Sequence, residues 1–308
     1  MTGGADRAGP ATSGRPAPAA LADGPLEPHC PLCGGEQREA LFTKRGWRFV
    51  RCAGCRLVSI RPLPRAEELA AHHEQSYREG AYATFAAADQ IRSMVARRRL
   101  DAVRPLAPPG PWLDVGCSTG SFVAEAIAAG LDAEGLEVSA AAVAQARARG
   151  LAVRQGAVEE TEPTRTYAAV SAFDVLEHLP DPTAFVRRVA GWLAPGGVLA
   201  VTLPDIASPA ARLLGRRWFY YAPPDHVHYF TPTTARRLLE TGGLTDVRVK
   251  PFRKPLTLDY AAAQLAALTP FLAPPVRAAA ALLPRRLRDR AWPLPLGEIL
   301  LTARRATT

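Results

Sequence analysis

This sequence predicts an α/β fold: a doubly wound, mostly parallel sheet behind a small cysteine-built module and a helical linker. Three observations carry that expectation. An apolar strand-like run ending at Val115 meets the turn Gly116-Cys117-Ser118-Thr119-Gly120, then an apolar-periodic helix (Phe122, Val123, Ala126, Ile127) that Gly130 stops. From there to about residue 250, strand-like and helix-like segments alternate at the spacing of parallel βαβ units. Upstream, four of the five cysteines fall in two Cys-x-x-Cys pairs.

Residues 1–28 are rich in Gly, Ala, Pro, Ser and Thr and hold no apolar run, so a disordered leader is expected rather than a signal peptide. Residues 29–62 follow as a zinc ribbon. Cys30-Pro-Leu-Cys33 and Cys52-Ala-Gly-Cys55 lie 18 residues apart, and each knuckle turns tightly enough to aim two thiolates at one ion. Two disulfides, or a redox pair, are the alternatives; they suit a secreted chain or a single motif after a strand. Four thiolates would close the coordination sphere, so the zinc would be structural. Arg61-Pro-Leu-Pro64 leads into a helical linker or cap over 63–110, with helices at Ala66–Tyr77 and Phe85–Val103, the second carrying Arg97, Arg98 and Arg99.

The main domain is expected over 111–308. A helix starts near Ser139 and stops at Gly150, and Leu151–Val153 is a short strand. Tyr167–Ala172 is a buried strand. Asp181 as N-cap, with Pro182 at the first position, starts the next helix. Pro195-Gly196-Gly197 turns into strand Val198–Leu203, Thr231-Pro232 opens a helix that Gly242-Gly243 closes, and Leu244–Lys250 is another strand. A helical insertion at about 253–296 precedes a last strand, Glu298–Ala303. It could cap the domain, cover a pocket or lie on a membrane surface.

The composition is that of a globular chain: 308 residues, 48% hydrophobic and 22% charged. The net charge of +9 suggests a polyanionic partner, but only three of the 38 basic residues are lysines (Lys44, Lys250, Lys254). An Arg/Ala/Pro bias of this kind makes basicity a poor guide to partners. Tyr260–Val276 is uncharged but broken by Pro270, Pro274 and Pro275, so no transmembrane helix is expected and the protein should be soluble and cytoplasmic.

The loop at 114–120 is where an α/β fold admits a nucleotide-like ligand against bare backbone. Glu137, 21 residues past Gly116, ends the next strand and suits a ribose diol. Asp114 would repel a pyrophosphate but attract a sulfonium and an amino group, so the loop does not read as a dinucleotide site. Cys117 reads as a small residue packing under the loop.

These residues resemble motif I of the class I S-adenosylmethionine (SAM) methyltransferases. The order of motifs continues through Asp174-Val-Leu-Glu-His-Leu-Pro-Asp-Pro182 and Leu193-Ala-Pro-Gly-Gly-Val-Leu199. The resemblance covers Trp112 to about Lys250 and implies a Rossmann-like sheet of seven strands. It implies that Asp114, Gly116 and Gly120 line the methionine part of SAM, with Ser118 in the same cofactor loop in place of the commoner glycine, that Glu137 holds its ribose, and that Phe173 and Asp174 lie beside it. Gly156-Ala157-Val158 offers the adenine only backbone. The ribbon followed by Cys55–Pro64 is similar to bacterial methyltransferases with an N-terminal zinc module, which implies a small-molecule acceptor of sugar or secondary-metabolite type, methylated on oxygen or carbon.

Methyl transfer needs alignment and often removal of an acceptor proton. His226 and His228 lie after the fifth strand of the domain and are the candidate catalytic residues, with His178 behind them, and Asp225 or Glu177 could orient His226. Trp218, Phe219, Tyr220 and Tyr221 suit either core or an acceptor-pocket wall. An RNA base methyltransferase using the ribbon to hold RNA is the alternative, although no Asp/Asn-Pro-Pro-aromatic motif follows the fourth strand. A non-catalytic SAM-binding scaffold is the third reading, opposed by the intact loop. Oligomeric state is not legible.

Overall fold

The computed structural model describes residues 29–78, 86–257 and 290–307, with 274–275, 278, 281–284 and 286. The expected leader and most of the expected insertion lie outside the described residues.

The ribbon is an antiparallel meander, β1 (Arg38–Lys44), β2 (Trp47–Cys52) and β3 (Val58–Arg61). Two helices follow at the expected places, α1 (Ala66–Arg78) and α2 (Ala86–Val103). The α/β domain then alternates β4 (Trp112–Val115), α3 (Ser121–Ala128), β5 (Ala133–Glu137), α4 (Ala140–Ala148), β6 (Val153–Gln155), β7 (Tyr167–Phe173), α5 (Pro182–Trp192) and β8 (Leu193–Pro204). A short helix α6 (Pro209–Leu214) precedes β9 (His228–Tyr229), α7 (Pro232–Thr241), β10 (Thr245–Leu256) and β11 (Trp292–Arg304).

Seven strands form one sheet in the order β10-β11-β8-β7-β4-β5-β6. Its β4–β8 part is parallel, and β11 runs antiparallel to both β8 and β10. Alternation along each strand sends side chains to two faces. Leu113 and Val115 pack with Phe185, Val186 and Leu238 on one face, while Trp112 packs with Val95, Phe122 and Val143 on the other.

Local chemistry sets the helix starts. The Asp181 carboxylate accepts from the backbone of Thr183 (3.0 Å) and Ala184 (2.9 Å), with Pro182 at the first position. Thr231 and Thr234 satisfy each other's backbone as a capping box ahead of α7. The Pro195-Gly196-Gly197 turn becomes a bulge inside β8: Gly196 takes φ 73°, and the pairing with β7 shifts register between Tyr167 and Ala169.

The ends of the expected 253–296 helical insertion are strand instead. Lys254, Pro255 and Leu256 pair with Leu294, Pro293 and Trp292, extending the β10–β11 hairpin beyond the sheet. Pro255, Pro293 and Pro295 argue against a strand in the sequence, so the cross-strand partner decides.

The ribbon does not stand apart. Strand β9 pairs antiparallel with β3 and completes a four-stranded sheet in the order β1-β2-β3-β9. Cys30, Leu32, Cys52 and Leu57 belong to the same core cluster as Leu113 and Val115. Among the described residues no helix is long and apolar enough to cross a membrane.

Candidate functional site

The order of strands reverses at β4, whose chain successor β5 lies on one side and β7 on the other. A crevice opens there outside the carboxyl ends of the strands, where open α/β sheets bind ligands. It holds a cavity of about 420 Å³ walled by the ends of β4 and β5, the 156–160 loop and the segment after β7, with Ala66, Leu69 and Ala70 of α1 laid across it. Apart from His178 its ionisable lining is acidic: Glu67, Glu137, Glu159, Glu160 and Asp174, with neither lysine nor arginine among the described residues. In a chain of net charge +9 this is a local inversion. Such a lining favours a cationic ligand and disfavours phosphate.

The glycine loop is built for close backbone approach. Gly116 has φ 69°, and a Cβ there would lie 2.6 Å from Val175 Cγ2; at Gly120, φ 79°, a Cβ would lie 2.5 Å from Leu151 Cδ1. Ser118, the departure from a glycine, also adopts positive φ (52°). Its backbone N–H donates to Glu137 Oε2 (2.8 Å) while Ser139 N–H donates to Oε1 (2.9 Å), so the ribose-candidate carboxylate is held at the cavity wall by two amides. Burial raises the Glu137 pKa against those hydrogen bonds. Asp114 lies one layer deeper. Its carboxyl accepts from Ser171 Oγ (2.6 Å), and burial pushes its pKa up to about 7. Cys117 packs under the loop against Gly135, as expected of a small residue.

Asp174 reaches the cavity and Phe173 does not. The Phe173 ring packs against Phe122 at 4.9 Å, with the Arg99 guanidinium 4.6 Å above it. Arg99 also pairs with Asp174 at 2.5 Å, and Thr202 Oγ1 donates to the other oxygen at 2.8 Å. Burial works to raise the Asp174 pKa, but Arg99 and Lys254 hold its carboxyl well below the usual range. Behind this pair, Lys254 of β10 binds Glu298 of β11 at 2.8 Å, and the Tyr220 hydroxyl donates to the same carboxylate.

Next along the chain, Glu177 and His178 sit in a single 3-10 turn, Leu176–His178. His178 lines the cavity, and its ring meets that of His226 edge to face at 4.8 Å. Burial, then the neighbouring His226, lowers the His178 pKa to about 4. His226 thus lies beside His178 rather than on the wall itself. Its Nδ1 meets the Tyr220 carbonyl (2.9 Å), and Asp225 Oδ1 pairs with His72 of α1 (2.6 Å). Tyr220 stacks on the His226 ring, and Trp218 is fully buried among the neighbouring aromatics, so this run serves as core rather than as a wall of the cavity.

His228 is not brought to the cavity. It is fully buried in β9, with Nδ1 2.8 Å from Ser59 Oγ of β3 and Nε2 3.1 Å from the Pro180 carbonyl. A carbonyl can only accept, so Nε2 carries the proton and Ser59 donates to Nδ1. Burial lowers its pKa to about 4, which keeps it neutral. Its place is the seam between ribbon and domain.

The four ribbon thiols converge. Cys30 and Cys55 sulfurs are 3.5 Å apart and those of Cys33 and Cys52 3.6 Å, close to the roughly 3.8 Å edge of a tetrahedron with 2.3 Å Zn–S bonds. All four are free thiols in this structure, and the donor set fits zinc.

Several participants were missed from the sequence. Arg99 read as part of a basic face, yet it turns inward. Lys254 and Glu298 are partners only through the β10–β11 pairing, and α1 showed nothing that placed it over a pocket. Glu159 and Glu160 reach the cavity just beyond the Gly156–Val158 stretch and carried a signal, their charge after a strand end.

Comparison with known proteins agrees with this geometry. The family described as a methyltransferase domain matches residues 87–249. The chain is 41% identical over 115 residues to a trans-aconitate 2-methyltransferase of Methylobacterium radiotolerans, covering 36% of this chain and 44% of that protein. It is 39% identical over 94 residues to a ubiquinone biosynthesis O-methyltransferase of Bordetella avium, covering 28% and 39%. The chain thus spans less than half the length of these two curated relatives. A solved SAM-dependent methyltransferase structure from Thermotoga maritima superposes with TM-score 0.50 at 18% identity, covering 75% of this chain and 97% of that one, a likeness of fold alone.

Proposed function

The chain belongs to the SAM-dependent methyltransferase family, and from that premise we propose that it transfers the methyl group of SAM to a small-molecule acceptor. The acid-lined cavity carries this reading. A methyl donor that is a sulfonium with an ammonium group is the nucleotide-like ligand that five carboxylates, with neither lysine nor arginine, would attract. Gly116 and Gly120 would let the donor rest against main chain, Glu137 would accept from ribose hydroxyls, and Asp174 would face the amino group. When bound, SAM supplies an already activated methyl, so the protein's work is alignment, exclusion of water and management of the acceptor proton.

The acceptor end is the wall at His178, beside His226 and Tyr220. The two relatives' names speak of a carboxylic acid and a quinone precursor, which favours an oxygen acceptor at the His178 wall. A small acceptor of this kind, including the sugar and secondary-metabolite class, is our reading. The ribbon would hold structural zinc through Cys30, Cys33, Cys52 and Cys55.

The test is titration calorimetry with S-adenosylhomocysteine and, as the contrasting ligand, NAD. Binding of the first and not the second is expected, with Glu137→Ala weaker by about 1–3 kcal/mol, the cost of losing a charge-assisted partner. Equal affinity in wild type and variant, or preference for NAD, would overturn the assignment.

A further inference from the structure

Glu177, His178 and His226 present a donor set that methyl transfer does not require. One ligand atom from each lies within 4.8 Å of the others. The Glu177 carboxylate is 1% exposed, and neither oxygen has a hydrogen-bond partner. Its neighbours are already committed, Asp174 to Arg99 and Glu298 to Lys254 and Tyr220. An uncompensated buried carboxylate needs either a proton or a cation.

The histidines indicate which. His178 Nδ1 lies 2.6 Å from the Asp225 carbonyl, and His226 Nδ1 lies 2.9 Å from the Tyr220 carbonyl. Carbonyl oxygens only accept, so in both rings Nδ1 bears the proton and Nε2 the lone pair. Metal-bound imidazoles are oriented in this way, by a second-shell carbonyl on the opposite nitrogen.

We propose that Glu177, His178 and His226 form a second metal site, separate from the ribbon, that takes a divalent transition-metal ion such as Zn²⁺ or Mn²⁺. Two imidazoles and one carboxylate suit that class. Three protein ligands leave positions open, as catalytic sites do and closed structural sites do not. Because His178 also lines the cavity, those positions face the acceptor end. The cation would bind an acceptor through its oxygen atoms, favouring molecules with two adjacent oxygens that chelate. His226 then serves as a ligand rather than as the proton-accepting base expected from the sequence. The acceptor role rests on the methyltransferase reading; the metal site does not.

Metal content should be measured on full-length protein purified without chelator, then on protein stripped and reloaded with Co²⁺. Wild type should hold two equivalents, one with thiolate charge-transfer bands and one with the weaker visible bands of a nitrogen–oxygen site. Cys52→Ser should lose the first. His226→Ala and Glu177→Gln should lose the second, with affinity for it down by about 100-fold or more. Glu177→Gln removes the buried charge at nearly constant shape, so it reports even where His226→Ala misfolds. One equivalent in wild type, lost only in Cys52→Ser, overturns the site. Retained S-adenosylhomocysteine binding alongside that result would leave the methyltransferase reading standing. Two equivalents without such binding would sink that reading and leave the metal site standing.

Discussion

His228 and His226 are two residues apart and have different consequences, because His226 lies in the loop before β9 while His228 is inside the strand at the ribbon seam. His228 is satisfied at both nitrogens within the ribbon seam. His228→Ala would strand a buried hydroxyl and a carbonyl and leave a cavity, a loss of about 2–4 kcal/mol. Denaturant unfolding should show that loss while calorimetry shows near-normal S-adenosylhomocysteine affinity. Unchanged stability with lost turnover would mean that His228 takes part in chemistry. Asp114 makes a pH-dependent prediction. Its folded pKa is raised from 3.8 to about 7 by burial. A raised value stabilises the fold below the unfolded pKa, and the contribution is lost as pH rises through the folded one. Asp114→Asn has no such titration, so melting of the ligand-free proteins should show the variant gaining on wild type between pH 4 and 7 and holding a constant difference above. A difference independent of pH would refute the buried-acid assignment.

At the scale of elements, the parts legible in the sequence were those with local causes. Asp181-Pro182, Thr231-Pro232, the glycine loop and the paired knuckles each act within a few residues, and each stands where expected. What was not legible depends on partners far along the chain. Arg99 meets Asp174 from 75 residues away, and His72 meets Asp225 from 153. No periodicity encodes such meetings. The ribbon shows how an element borrows stability: Cys30, Cys52 and Leu57 share a core with Val115, next to the glycine loop. Cys52→Ser, or chelation of the ribbon metal, should therefore lower the melting temperature of the whole unit in one cooperative transition. A separate low-temperature step that leaves the main transition in place would show instead that the ribbon folds as an independent module.

Among the described residues of the whole molecule, several arginines are engaged in ion pairs rather than displayed as a bare basic face. Arg97 binds Glu125, Arg99 binds Asp174, Arg165 binds Asp132, and Arg188 binds Glu162. The cavity itself is acidic. Fluorescence anisotropy with single-stranded RNA at physiological salt should thus give no more than the weak non-specific binding of basic proteins, with a Kd of about 10⁻⁴–10⁻⁶ M. Binding a hundredfold tighter, at a defined sequence, would restore the RNA-methyltransferase alternative.

The pairing of β3 with β9 also has a history along the chain, because Ser59 and His228 are 169 residues apart. During synthesis β3 leaves the ribosome early with all four of its residues destined for burial, yet the strand that covers its edge is among the last third of the chain to appear. Until then the ribbon offers an open apolar edge, the kind that recruits other chains. Late closure of this sort is slow, since the intervening loop must be ordered before the contact repays it. The nascent ribbon would therefore profit from taking up its metal first: ion-clamped knuckles hold the meander in register while the domain that completes it is still being made.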